Sequence, residues 1–89
     1  MKFIVYVIQD KIAEESSPLW EAKNLGVASR RFLTAIKESE TPEDFRLLEI
    51  GEMDHETNVL SLNDPVIDVT DNVQVMVDGE NIMIQDGEK

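Results

Sequence analysis

Cysteine is absent from this 89-residue chain, which excludes a disulfide framework and any thiolate metal site and leaves ordinary packing or self-association to supply stability. The same absence fits a reducing, cytoplasmic compartment. Long apolar runs are also missing. The longest, Phe3 to Ile8 in "MKFIVYVIQD", has six residues, too few for a signal-peptide core and far too few for a membrane span. Aromatic residues are only 6% of the chain, with one Trp and one Tyr, so a platform on which successive bases stack is thinly supplied. There is one histidine, and without a second histidine or a cysteine it makes a poor zinc site.

Positive charge is scarce too: eight Lys and Arg stand against 19 Asp and Glu, for a net charge of -11. The distribution matters more than the total. Residues 1 to 46 hold seven of the cations against eight acids, a net of -1, whereas residues 47 to 89 hold eleven acids against Lys89 alone, a net of -10. The later half repels phosphate and keeps a small protein in solution, so any contact with nucleic acid has to come from the first half.

Several elements can be read from pattern. "FIVYVIQ" is a β-branched and aromatic run that reads as a central strand or one covered on both faces. "DKIAEESSP" reads as a loop or irregular turn, because the residue before Pro18 is pushed out of helical geometry, and "LWEA" as a short extended piece that lays Trp20 over the core. Asn24 is a good N-cap. From there Leu25, Ala28, Phe32, Ala35 and Ile36 recur at helical spacing with Arg30, Thr34 and Lys37 opposite, which predicts an amphipathic helix of about fourteen residues. "TPED" predicts one tight turn closed by a capping box, with Thr41 as N-cap, Pro42 at the first helical position and Asp44 three residues after Thr41.

"FRLLEIGEM" predicts a strand neither of whose faces is cleanly apolar, and Gly51 within it signals a bulge or the close approach of another backbone. The next cluster, Asp54, His55 and Glu56, has two readings. As a hairpin turn it has a turn-forming aspartate and Asn58, which tolerates the left-handed conformation. As a calcium loop it fails at the sixth position, where the sharp-turn glycine is replaced by Val59. The turn is the better reading. Beyond it, "VIDV" after Pro65 reads as an edge strand, and "VQVMV" and "IMI" about Asp78 to Asn81 as a second hairpin or an acidic tail.

No Gly-rich phosphate loop and no nucleophile with a base is present, so the sequence does not predict an enzyme, a cofactor or a small-molecule substrate. The residues able to meet phosphate or a partner are Lys23, Arg30, Arg31, Lys37 and Arg46. Arg30 and Lys37, seven apart, share a helix face. The bland alternative is that these cations neutralise Glu21, Glu38, Glu40 and Glu43 as a solvated face.

Taken in order, Asp10 and Ala13, Pro18, Asn24, the Ala28, Arg30 and Phe32 of "ASRRF", then "PEDF" and "LLEIGEMD" resemble the small nonstructural protein of gokushovirus-type microviruses, bacteriophages with small single-stranded circular DNA genomes. The resemblance runs from residue 3 to about residue 62. The family's "G-x-F-D-x-x-T-G" stretch is matched here from Gly51, with Met53 in place of the aromatic and Asn58 in place of the last glycine. Both exchanges are mild, since Met fills core space and Asn accepts the same turn geometry. The resemblance implies a non-capsid accessory protein with a role in viral DNA replication or genome packaging. It also implies that Arg30 meets phosphate or a partner while Asp10, Asp44 and Asp54 cap turns. Residues 63 to 89 lie outside it.

The expectation is an α+β domain over residues 1 to 69, with one amphipathic helix on a small mixed or antiparallel sheet of about four strands near 2 to 9, 45 to 53, 59 to 62 and 66 to 69. Residues 70 to 89 then form the acidic hairpin or tail. A chain this short, with exposed sheet edges, is expected to pair as a homodimer. In function it is expected to act in the host cytoplasm, away from membranes, binding single-stranded DNA or the replication and packaging proteins. Two other readings stand beside this: an acidic, DNA-mimicking regulator that engages a basic host or viral protein, and a structural component of the particle.

Overall fold

A computed structural model of the chain describes residues 1–73. Five strands form one antiparallel sheet: β1 (Lys2–Asp10), β2 (Glu15–Ser16), β3 (Trp20–Ala22), β4 (Phe45–Asp54) and β5 (Val59–Asp68). One helix, α1 (Leu25–Ile36), links β3 to β4, and a 3-10 turn at Pro42–Asp44 leads into β4. The architecture is α+β as the pattern predicted, and the sheet is wholly antiparallel.

β1 is central because it pairs along its length on both sides. One edge takes β4 over all nine residues, and the other takes β3 against Ile4 to Tyr6 and β2 against Gln9 and Asp10. Its alternation sorts the side chains. Ile4, Tyr6 and Ile8 meet the helix, while Val5 and Val7 are buried on the other side of the sheet. The cluster under α1 comprises Tyr6, Ala22, Ala28, Phe32, Ile36 and Leu47, joined by Val69 and Val73. Burying a side chain the size of Phe32 or Ile36 contributes about 1.5–3 kcal/mol, so these contacts, more than intrinsic propensity, hold a twelve-residue helix in place.

The mixed faces of "FRLLEIGEM" have a structural cause. Between the pairs Tyr6 with Glu49 and Val5 with Gly51, Ile50 is one residue too many. This bulge exchanges the odd and even faces of β4 halfway along: Leu47 points with Ile8 toward the helix, whereas Met53 points with Phe3 away from it. β5 answers with a longer irregularity, since its pairing jumps from Leu62 opposite Gly51 to Ile67 opposite Glu49. Asn63 fills the gap by donating its side-chain amide to the Glu49 carbonyl at 3.1 Å and the Glu49 carboxylate at 3.0 Å. The Asp64–Pro65 peptide bond is cis.

Several expectations are corrected. Residues 59 to 62 and 66 to 69 are not two strands but parts of one, Val59–Asp68, and Val69 leaves it. Residues 70–73 wind into a helical turn that brings Val69 and Val73 to the core. Its start is fixed by Asp68, whose carboxylate accepts from the Thr70 hydroxyl at 2.6 Å and amide at 3.0 Å, while the Thr70 hydroxyl accepts from the Leu47 amide at 2.9 Å. Burial pushes the Asp68 carboxyl up, but the Thr70 hydrogen bonds with Arg46 and Lys11 outweigh it and leave the group below its ordinary range. The expected loop at 10 to 18 contains the short strand β2, because the Ser17 amide donates to the Ile8 carbonyl at 2.8 Å and its hydroxyl oxygen accepts from the Ile8 amide at 2.9 Å. The helix has twelve residues where about fourteen were expected, and Ala35, placed on the apolar stripe, is exposed. The capping box does not form: Thr41 makes no side-chain cap, and Asp44 gives only its backbone amide to the Thr41 carbonyl. The hairpin about Asp78 to Asn81 lies outside the described residues.

Gly51 fulfils its expectation in both respects. It stands at the bulge, and a Cβ there would lie 2.2 Å from the Ser61 carbonyl oxygen. Gly51→Ala is therefore expected to force β4 and β5 apart and to lower stability by about 2–3 kcal/mol, read from urea denaturation by circular dichroism.

Tyr6 is fully buried, and its hydroxyl has no hydrogen-bond partner. Burial first, and the Glu49 carboxylate second, push its pKa up to about 12. Below about pH 10, the ordinary value, folded and unfolded chains both keep this proton. Between that value and about 12 only the unfolded chain sheds it, so stability falls as pH rises through this window. Tyr6 is the only tyrosine, so absorbance at 295 nm should report its late titration directly, and Tyr6→Phe should remove the alkaline loss and be no less stable at neutral pH.

Candidate nucleic-acid interface

Lys23, Arg30, Arg31 and Lys37 come together because α1 lies flat on the sheet. Asn24 starts the helix as expected, its side-chain oxygen accepting from the Val27 amide at 3.0 Å. Ala28, Phe32 and Ile36 then fix which side faces the core, and at 100° per residue Arg30, Thr34 and Lys37 must project outward. All three are exposed, as is Lys23 one residue before the cap. Among the described residues no ion pair engages Lys23, Arg30 or Lys37; the four salt bridges are Met1 to Glu56, Lys2 to Glu52, Arg46 to Asp68 and His55 to Glu21. The neutralising partners proposed for the helix cations, Glu21, Glu38, Glu40 and Glu43, are not bonded to them. Lys37 occupies the C-cap, where a cation meets the negative end of the helix dipole.

Arg31 borders this stripe. Its guanidinium lies over the Trp20 ring, 4.7 Å from the centroid, a cation–π contact of about 0.5–1 kcal/mol where solvent reaches it. Trp20 in turn leans on Tyr6 at a centroid distance of 5.3 Å and an interplanar angle of 31°. The expected lid is thus built, half-buried and pinned between a core tyrosine and a surface arginine. A shallow groove lined by Leu19, Trp20, Arg31 and Ala35 runs beside it.

Arg46 does not join the stripe. It lies in β4 next to the buried Leu47, is half-buried, and faces Asp68 at 4.0 Å. Sequence spacing alone could not separate it from the helix cations.

The Asp54–His55–Glu56 cluster is the turn between β4 and β5. The Asp54 carboxylate accepts from the Glu56 amide at 2.9 Å, which is the first cause of its lowered pKa, and Asn58 takes φ of 60°. His55 is turned away from both acids: its Nε2 meets Glu21 Oε1 at 2.5 Å, and its ring stands edge-on to Phe3. This pairing bridges 34 positions, and no local signal announces it. Of the three aspartates expected to cap turns, Asp10 does so, accepting from the amides of Ile12 and Ala13, as does Asp54; Asp44 does not do so with its side chain. Among the described residues no group of three or more His, Asp or Glu is arranged to hold a metal ion, and no helix is long and apolar enough to cross a membrane.

Replacing Asn24 by Ala removes the only side-chain cap of α1 and is expected to lower stability by about 1 kcal/mol, read as a lower thermal midpoint with earlier amide exchange in the first helical turn.

No curated protein and no solved structure matches this chain. The family described as Phage ORF5 protein matches residues 3–75, a span that holds the described strands but for Lys2 at the start of β1, the helix, and the core residues Val69 and Val73, which lie past the end of the resemblance noted above. With the stripe, the sheet and the core all inside that span, the chain belongs to the Phage ORF5 protein family.

Proposed function

We propose that this phage protein is a nonstructural accessory factor of a single-stranded DNA phage that works by binding, holding single-stranded DNA on the outer face of α1 during viral DNA replication or genome packaging in the host cytoplasm. It carries out no chemistry in this reading. The supporting observation is the state of Lys23, Arg30 and Lys37: in a chain of net charge -11, these three cations, one just before the N-cap of α1, one within it and one at its C-cap, are exposed and make no ion pair among the described residues. Trp20, beside Arg31, supplies one aromatic surface next to the stripe, and the resemblance to gokushovirus-type nonstructural proteins supplies the class of nucleic acid.

The acidic half supports a second reading. With β5 exposed at every residue but Asn63, and Asp64, Asp68 and Asp71 on or just after it, the β4–β5 side could imitate a polyanion and engage a basic host or viral protein.

Salt separates the two. Three or four phosphates neutralised by Lys23, Arg30, Arg31 and Lys37 give a slope of log K against log salt of roughly -2 to -3 for a single strand. The only tryptophan, Trp20, reports the event by its fluorescence. An oligodeoxynucleotide should be bound at low salt and released steeply as salt rises, and Arg30→Glu with Lys37→Glu should abolish binding without altering the circular dichroism spectrum. No response to DNA at any salt, with retention of a basic partner, would select the second reading.

A further inference from the structure

Beside the cationic stripe, the groove at Trp20 has a shape and a lining of its own. Pro18, Leu19 and Trp20 border it from the strand side, and Arg31 and Ala35 from α1. Those two helix residues stand four apart and therefore share a face. Leu19 is exposed, and so is Ala35, whose methyl group is too small to close the space. At about 240 Å³ the groove is smaller than the roughly 300–1,000 Å³ of a site for a whole drug-sized ligand. It suits one planar ring system.

Arg31 is the movable part. Its guanidinium lies 4.7 Å from the centroid of the Trp20 ring and makes no ion pair among the described residues. A cation–π contact at an exposed position is weak, whereas a guanidinium on a phosphate gains a charge-assisted, bidentate bond.

We propose that the groove receives one unpaired nucleobase, stacked on the Trp20 indole, while the Arg31 guanidinium passes from the ring to a phosphate of the same strand. This placement rests on the DNA-binding reading above and supplies its selection for single strands. Charge complementarity names the occupant. Lys23, Arg30 and Lys37 attract a polyanion, and the apolar walls next to them take what a nucleic acid carries between its phosphates. In a duplex the faces of the bases are covered by their neighbours and their edges are paired, so only an unstacked, unpaired base can enter. The groove has little with which to read a base edge. Apart from Trp20 and Arg31, Ser17 is the only polar side chain among the described lining residues, and its hydroxyl already accepts from the Ile8 amide at 2.9 Å and donates to the Pro18 carbonyl at 3.0 Å. The base is held by its face, which every base possesses, so the strand is bound with little preference for sequence.

An oligothymidylate and an abasic strand of the same length carry the same phosphates and differ only in their bases. The oligothymidylate should quench the fluorescence of Trp20, the only tryptophan, and bind roughly 5- to 100-fold more tightly than the abasic strand, which is the worth of one stacked base. Both strands should show one salt slope. Ala35→Leu fills the groove while keeping Trp20 and every cation. It should abolish the quench and lower the affinity for oligothymidylate to that for the abasic strand, with the salt slope and the circular dichroism spectrum unchanged. Arg31→Gln uncovers the indole, so the quench should persist while the slope of log K against log salt becomes shallower by about 0.7, one phosphate of a single strand. Equal binding of the two strands without a quench overturns this proposal and leaves the DNA-binding reading standing. So does an Ala35→Leu chain that still prefers the strand with bases, or an Arg31→Gln chain that loses the quench or keeps the full slope. Failure to bind either strand at any salt overturns both.

Discussion

With only β5 attached at one remove, through β4, the described structure is built around β1. Its backbone is bonded to three other strands, and its Ile4, Tyr6 and Ile8 side is the floor on which the helix lies. The ladder with β4 extends from Lys2 to Asp10, so the two strands must keep register over nine residues while Ile50 intrudes between them. The bulge is tolerated because Gly51 follows it, giving the Ser61 backbone room to come close. A bulge also increases twist, and on the second face of this sheet Val5 and Val7 are buried with no helix over them among the described residues. One extra residue and one missing side chain thus set the shape of the sheet and, through it, the tilt at which α1 presents its outer face.

What could be read from the chain and what could not divides along the range of the interactions. The helix, its Asn24 cap, the outward position of Arg30, Thr34 and Lys37, the turn at Asp54 to Asn58 and the special role of Gly51 all follow from periodicity or from the stereochemistry of single residues, which neighbours in sequence decide. The pairing of β2 and β3 with the same edge of β1 did not show, because strands of two and three residues are too short to carry a period and exist only because β1 offers a ladder. The union of residues 59 to 68 into one strand was hidden by Pro65, which reads as a break but lies in an irregular stretch of an edge strand where its missing amide does no harm. Ser29 was also missed. It is buried within the helix and returns its hydroxyl to the Leu25 carbonyl at 2.7 Å, so a polar side chain takes a core position without leaving its donor unpaired. In the candidate site, periodicity places Arg30 and Lys37 on the outer side of the helix, but only the three-dimensional arrangement separates Arg46, held by Asp68, from the stripe, and only it sets Arg31 upon Trp20.

The division of charge seen along the chain becomes a division in space. α1 comes from the nearly neutral half and carries no acid at all over its twelve residues, while β4, β5 and the turn between them come from the acidic half. The carboxylates there are put to local use: Asp54 and Asp68 accept backbone and hydroxyl donors and are held below their ordinary range, and Glu49 receives Asn63. Groups committed to such bonds cannot swing across the molecule to screen the helix. At physiological salt, charges more than about 8 Å apart are largely screened in any case, so the net -11 does not forbid a polyanion from approaching the outer side of α1, where cations make no ion pair among the described residues.

The two edges of the sheet differ in a way that bears on how far self-association can go. Along the edge of β1, β2 and β3 are fragments separated by Ser17 to Leu19, with Pro18 among them and Trp20 pinned beneath Arg31. That edge offers no unbroken run of amides to a neighbour. Among the described residues the β5 edge offers one short regular stretch before the irregularity at Asn63 to Val66. A sheet with two open edges can extend copy after copy, as fibres do, whereas a sheet with one usable edge is satisfied once that edge meets its own copy. The broken inner edge and the proline near the middle of the outer one therefore act together: among the described residues, neither edge offers the long unbroken run of amides that would let copies add one after another.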